Sequence, residues 1–181
     1  MTLPNILTVA RIGATPAIVF AAAMDRPVLA TTLFVAAGLT DWLDGYLARR
    51  LNQTSAFGAM FDPIADKLQV GLTLAALLWI GALGGWHLAP AIAILGREIL
   101  VSGLREAMAS MRAPRLPSSF AAKAKTAVQM AALALLLLDG ADVASWIRPL
   151  GLALLWAAAA LSLLTGAAYL GAALKALRSE E

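Results

Sequence analysis

The sequence predicts an all-α, polytopic integral membrane protein, a six-transmembrane-helix bundle, and three observations carry that expectation. Hydrophobic residues make up 61% of the 181, and the mean hydropathy is +0.79. Apolar runs long enough to cross a hydrocarbon core of about 30 Å recur along the chain. Those runs are rich in Ala and Leu and lack the short alternation of barrel strands. In lipid every backbone polar group needs an internal partner, so the spans should be helices.

The first span covers about 5–24. Asn5, Thr8 and Arg11 recur every three residues within it, which puts them on one polar stripe. The stripe either lines a cavity or is a polar helix start with a snorkelling arginine. No charged segment precedes this span and Arg11 lies inside it, so it reads as a retained helix and not a cleaved signal. The second span, about 28–48, follows Pro27 and ends among acids, and the third, about 59–80, begins among them. Gly84-Gly85 precedes a fourth span at about 88–109, where Trp86 and His87 fit a short interfacial loop. Pro114 and Pro117 precede the fifth, about 120–138, and Asp139-Gly140 and Pro149 mark the approach to the sixth, about 147–173. No repeat with a period of 20 to 50 residues is visible. Ser162-x-x-x-Gly166 and Ala167-x-x-x-Gly171 are candidates for close helix approach.

An even number of spans puts both termini on one side. Arg49, Arg50, Arg112, Arg115, Lys175 and Arg178 then share that side, against Arg26 and Arg148 on the other, which makes it the cytosolic one. The net charge of +3 therefore follows membrane topology and does not point to nucleic acid. The chain has no cysteine, which excludes disulfides, thiol nucleophiles and thiolate metal sites.

Between Asp41 and Asp66 four carboxylates stand in a chain otherwise built for lipid. Asp41 and Asp44 are i and i+3, and Asp62 and Asp66 are i and i+4, so each pair projects from one helix face. If the two segments pack as antiparallel neighbours, all four acids meet. Two like charges about 4 Å apart repel by roughly 4 kcal/mol at an effective dielectric of about 20. Clustered acids must therefore protonate, splay or bind cations, and hard divalent ions fit best. Salt bridges to Arg49, Arg50 and Lys67 are the plainer alternative, and Asp62-Pro63 also suits a simple helix start. Gly45, Ala48 and Arg49 share the face of Asp41 and Asp44, leaving clearance beside the acids and a forked donor for phosphate, as a nucleotide head requires. Gly58, one turn before Asp62, offers the same clearance.

The full pattern, D-x-x-D-G-x-x-A-R-x(8)-G-x-x-x-D-x-x-x-D, runs through Asp41, Asp44, Gly45, Ala48, Arg49, Gly58, Asp62 and Asp66. It resembles the CDP-alcohol phosphotransferase family signature at every fixed position. The opening Leu3-Pro4-Asn5-Ile6-Leu7-Thr8 with Arg11, then Gly96-Arg97-Glu98-Ile99, Ser102, Leu104-Arg105-Glu106 and Lys123-x-Lys125-Thr126, look like the branch that makes phosphatidylglycerol phosphate. Cardiolipin-forming members more often show Arg-Asp where Arg97-Glu98 stands here.

The resemblance implies that residues 1–181 form one membrane-embedded catalytic domain that moves a phosphatidyl group from CDP-diacylglycerol to sn-glycerol 3-phosphate. It also implies two divalent ions on Asp41, Asp44, Asp62 and Asp66, with Asp66 as general base. An all-oxygen site with room for phosphate suits Mg2+, with Mn2+ as a substitute. On the nucleotide side the resemblance implies Asn5, Thr8, Gly45, Arg49 and Ser55. It further suggests a homodimer in a bacterial inner membrane. The acceptor's phosphate needs cations, for which Arg97, Arg105, Lys123 and Lys125 are candidates. Lys123 and Lys125 differ by about 200° around a helix, so at most one faces a site. Arg97 lies near the middle of its span, where an unpaired charge costs at least about 2.5 kcal/mol, so Glu98 beside it suggests a buried network or a cavity lining. Sister enzymes with another acceptor (phosphatidylglycerol, inositol phosphate or serine) are the near alternative. A metal or proton carrier is the remote one, and it calls for midplane acids and inverted repeats.

Overall fold

The computed structural model describes residues 3–50, 56–110 and 120–178, with the side chains of 3–4, 42, 44–50, 56, 59, 120–122 and 176–178 outside that description. Among the described residues six long helices form: α1 (Leu3–Ala23), α2 (Pro27–Arg50), α3 (Ala56–Trp79), α4 (Leu88–Ser110), α5 (Phe120–Leu138) and α6 (Ile147–Arg178). Single turns of 3-10 helix at Gly85–His87 and Asp139–Ala141 precede α4 and α6. No strand occurs among the described residues.

The chain is an integral membrane protein of the all-helical kind. Among the described residues four stretches are long and apolar enough to cross a membrane: Asn5–Ala23, Gly85–Ser110, Lys123–Ala141 and Ile147–Lys175. The apolar part of α2, Pro27–Asp41, is shorter and stops where the acids begin. In α3 the charges of Asp62, Asp66 and Lys67 interrupt the run. All six expected helices are present, but length and hydropathy alone qualify four of them as spans.

Helix boundaries follow local chemistry. Pro27 opens α2 at a position where its missing N–H costs nothing. α1 closes with Asp25 at φ 54°, its N–H donating to the Ala22 carbonyl while the Arg26 N–H donates to the Ala21 carbonyl. That is the left-handed helix stop usually given to glycine. At the end of α3 the same conformation falls to Gly81, with φ 75°. The start of α3 differs from the plainer sequence reading, because the helix begins at Ala56 and Pro63 lies inside it. Phe57 and Phe61, one turn apart, stack with ring centroids 4.3 Å apart. That i, i+4 aromatic pair supports the turns ahead of the proline.

Contacts divide the chain into two compact units, one of Met1–Gly84 with Leu133–Gly151 and the other of Gly85–Ala132 with Leu152–Glu181. In the first unit Ala21, Ala22, Ala30, Ala37 and Ala65 are buried beside Ile18, Phe34, Leu74 and Leu77. Small side chains let helix backbones approach closely where no hydrophobic force drives association in lipid. Gln69 of α3 donates from Nε2 to the Phe34 carbonyl of α2 at 3.2 Å. Gly151 sits against Leu136 of α5, where an added Cβ would lie 3.0 Å from Cγ. In the second unit Ile94, Val101, Leu155, Ala158 and Ala159 are buried. Trp156 Nε1 donates to His87 Nδ1 at 3.2 Å, so the one histidine has a structural partner at a loop.

Candidate active site

In the first unit, α1, α2 and α3 bring three of the four predicted acids onto one cation. The Arg11 Nη1 group donates to Asp41 Oδ1 and, at 2.6 Å, to Asp66 Oδ1. Its Nη2 lies 3.6 Å from Asp62 Oδ1. The Thr8 hydroxyl donates to that same Asp62 oxygen at 2.8 Å. Asn5, Thr8 and Arg11 are all buried, so the polar stripe of α1 faces inward. The snorkelling alternative for Arg11 is thereby corrected: its side chain is 0% exposed, whereas those of Asp41, Asp62 and Asp66 are 42%, 44% and 58% exposed. A guanidinium forms the floor and the carboxylates form an open face above it. Carboxylates at these depths repel one another unless a cation sits among them, and Arg11 is that cation.

Among the described residues no group of three or more acidic side chains is arranged as a ready metal cage. The centre is taken by Nη1, which draws Asp41 and Asp66 toward itself. The donor set nonetheless fits a hard divalent ion. It is all oxygen, drawn from two helices, and near enough together for three members to reach one guanidinium. A carboxylate has about four lone-pair sites, so the arginine contacts do not by themselves exhaust it.

Asp44 belongs to α2 three residues after Asp41, but its side chain lies outside the described residues, as do those of Gly45, Ala48 and Arg49. Ser55 lies outside them altogether. Gly58 is half-buried in the first turn of α3. A cavity of about 390 Å³ at the far ends of these helices is lined by Asp25, Trp79, Gly81, Asp139 and Arg148 among others, and includes none of the clustered acids.

In the second unit the predicted cations separate into a buried pair and two outlying groups. Lys125 is buried and its Nζ donates to Glu98 Oε1, while Lys123 is exposed. Of the two, Lys125 is thus the one turned inward, toward Glu98. Arg97 is 8% exposed and donates to the same Glu98 oxygen at 3.4 Å. Two cations share one carboxylate, which leaves a net positive charge in a buried place. Arg105, two turns further along α4, donates to the Tyr169 hydroxyl at 2.6 Å and lies 4.8 Å from the centroid of that ring. The structure does not bring it to the Arg97 group.

Thr165 of α6 escaped the sequence reading. Its hydroxyl accepts from Arg97 Nη2 at 3.4 Å. Its place three residues after Ser162 on an apolar helix was the available signal. Of the two small-residue pairs on α6, Gly166 is in close contact with the Arg97 side chain, whereas Gly171 has nothing within 4 Å of where its Cβ would stand.

Residues 1–164 match the family model described as CDP-alcohol phosphatidyltransferase. The chain is 43% identical over 178 residues to the CDP-diacylglycerol--glycerol-3-phosphate 3-phosphatidyltransferase of Rickettsia bellii, covering 96% of each chain. It is 42% identical over 183 residues to the chloroplastic/mitochondrial enzyme 1 of that name from Arabidopsis thaliana, covering 94% of this chain and 62% of that one. The CMP-forming cardiolipin synthase of Oryza sativa is 45% identical over 150 residues, covering 76% of this chain and 46% of the rice protein.

Proposed function

We propose that this chain, which belongs to the CDP-alcohol phosphatidyltransferase family, transfers the phosphatidyl group of CDP-diacylglycerol to sn-glycerol 3-phosphate, giving phosphatidylglycerol phosphate and CMP. The observation that carries this reading is the convergence of Asp41, Asp62 and Asp66 on one point, within a signature whose every fixed residue is present. Relatives bearing the glycerol-3-phosphate name align over nearly the whole chain, and the cardiolipin-forming relative over three quarters of it. That difference favours glycerol 3-phosphate as acceptor. The family works with divalent metal ions, and Asp41, Asp44, Asp62 and Asp66 would hold two of them, Mg2+ or Mn2+. When bound they supply positive charge to the pyrophosphate and to the departing CMP.

The chain's own residues do the rest. Asp66 accepts the proton of the glycerol hydroxyl as its oxygen attacks the β-phosphorus and the bond to CMP breaks, which requires hydrogen-bond reach between carboxylate and hydroxyl. Asn5, Thr8, Gly45, Ala48, Arg49, Ser55 and Gly58 line the cytidine diphosphate side. Arg97 and Lys125, with one carboxylate between them, hold the acceptor's phosphate dianion, and Arg105 and Lys123 add outlying positive charge. Residues 1–181 act as one catalytic domain, a reading supported by a family match that runs through both compact units. The protein works as a homodimer in a bacterial inner membrane, with termini and site on the cytoplasmic face. The diacyl tails stay in lipid while the head meets a water-soluble partner.

Purified protein supplied with CDP-diacylglycerol and Mg2+ should convert labelled glycerol 3-phosphate into lipid. Phosphatidylglycerol, inositol phosphate and serine should neither react nor compete. Chelation should stop turnover, and adding the ion back should restore it. Turnover that survives exhaustive chelation, or preference for another acceptor, overturns the proposal.

A further inference from the structure

We propose that Thr165 and Gly166 of α6 are positioning residues for the acceptor, holding the Arg97 guanidinium with its unsatisfied donors available to a phosphate. The inference rests on the reading of Arg97 as a phosphate ligand and adds a third helix to that site. Four observations in the second unit carry it.

First, Arg97 is buried but poorly paired. Its two hydrogen bonds, to Glu98 and Thr165, are both 3.4 Å long. Its Nε has no partner among the described residues. A guanidinium offers five N–H donors, and leaving buried donors unmade is costly. An arginine in this condition gains from any group that supplies acceptors, and an oxyanion does so through parallel N–H···O bonds.

Second, the charge is unbalanced. Arg97 and Lys125 share Glu98 Oε1. The trio therefore carries one positive charge in excess, and in a low-dielectric surrounding that charge attracts an anion strongly.

Third, Thr165 is oriented as an acceptor. Its Oγ1 lies 2.8 Å from the Leu161 carbonyl and 3.0 Å from the Ser162 carbonyl, so its single proton is committed to its own helix. The lone pairs are left for Arg97 Nη2.

Fourth, Gly166 supplies the space. A Cβ there would lie 2.9 Å from Arg97 Cγ and 3.8 Å from Nε. Cγ is near the root of the side chain and cannot swing aside by itself. Any added carbon forces the whole arginine to another rotamer and moves the guanidinium. Glycine on a membrane helix usually serves backbone approach between helices. Here the neighbour is an arginine side chain.

The test compares Gly166→Ala, Thr165→Val and Thr165→Ser with Arg97→Gln in the full-length enzyme, measuring KM for each substrate and kcat. The thermal shift produced by glycerol 3-phosphate gives a readout independent of turnover. Losing charge-assisted bonds to the phosphate should raise the glycerol 3-phosphate KM by about tenfold for Gly166→Ala and about threefold for Thr165→Val, with the CDP-diacylglycerol KM unchanged. Thr165→Ser should restore the normal value, and the ligand-induced thermal shift should shrink in Gly166→Ala and Thr165→Val, as it does in Arg97→Gln, and keep its size in Thr165→Ser. If Gly166→Ala does not fold, the Thr165 pair decides alone, with valine keeping the shape and serine keeping the hydroxyl. Should Arg97→Gln raise the acceptor KM while Gly166→Ala and Thr165→Val leave it unchanged or shift both KM values together, the positioning role is overturned and the acceptor reading stands. Should Arg97→Gln itself leave the acceptor KM unchanged, the acceptor reading fails and this inference fails with it.

Discussion

Arg11 joins α1 to both helices that carry the acids, and its fully buried side chain makes it the residue on which the geometry of the acid group depends. Replacing it with methionine keeps the length and removes the charge. Breaking a buried ion pair costs about 3–5 kcal/mol, and the half-exposed acids reduce that to about 2 kcal/mol here. Arg11→Met should therefore lower thermal stability measurably in detergent. Asp66→Asn should instead keep the fold and lower kcat about 1,000-fold, within the usual range for a lost general base. A variant with near-normal turnover would remove the base assignment. That Asp66 shares a helix face with Asp62 was legible from spacing, because their separation is a property of one helix, whereas its role as base is what the family resemblance implies. The engagement of Arg11 with acids from two other helices was not, because residues 30 and 55 positions apart meet only through packing.

Individual helices were largely legible. Periodicity, apolar length and punctuation by Pro and Gly place α1 to α6 within a few residues of where they form, with α6 running further, to Arg178. The entry to α3 was harder to read, since Asp62-Pro63 is a sound local start signal. The stacking of Phe57 on Phe61 favours an earlier start. The exits of α1 and α3 use one conformation with different residues, Asp25 and Gly81. Gly81 has open space around its missing Cβ, so its requirement is conformational and not steric. Gly81→Ala should cost about 1 kcal/mol through the left-handed backbone alone. Thermal unfolding would measure it, and an unchanged or raised midpoint would contradict the assigned stop.

The molecule as a whole combines apolar helices with two polar groups, Arg11 with its acids in one unit and Arg97, Lys125 and Glu98 in the other. Its proposed orientation can be tested cleanly because the chain has no native cysteine. Trp86, 88% exposed in the turn before α4, should lie outside the cytoplasm, and exposed Lys175 inside it. In intact cells an impermeant thiol reagent should label Trp86→Cys and reach Lys175→Cys only after permeabilisation. The reverse pattern would invert the topology, and labelling of both from outside would break the even span count.

Composition and helical period determined what needs only the local chain, helices in lipid with acids one turn apart along them, and the residue pattern from Asp41 to Asp66 carried the family resemblance. Tertiary structure decided which polar groups meet. It placed Arg11 under the carboxylates, buried Lys125 while leaving Lys123 exposed, and set Gly166 against Arg97. The physical reason is that a helix fixes directions about its own axis at about 100° per residue. The depth, rotation and partner of each helix come from side-chain packing between segments far apart in the chain, which no local pattern encodes.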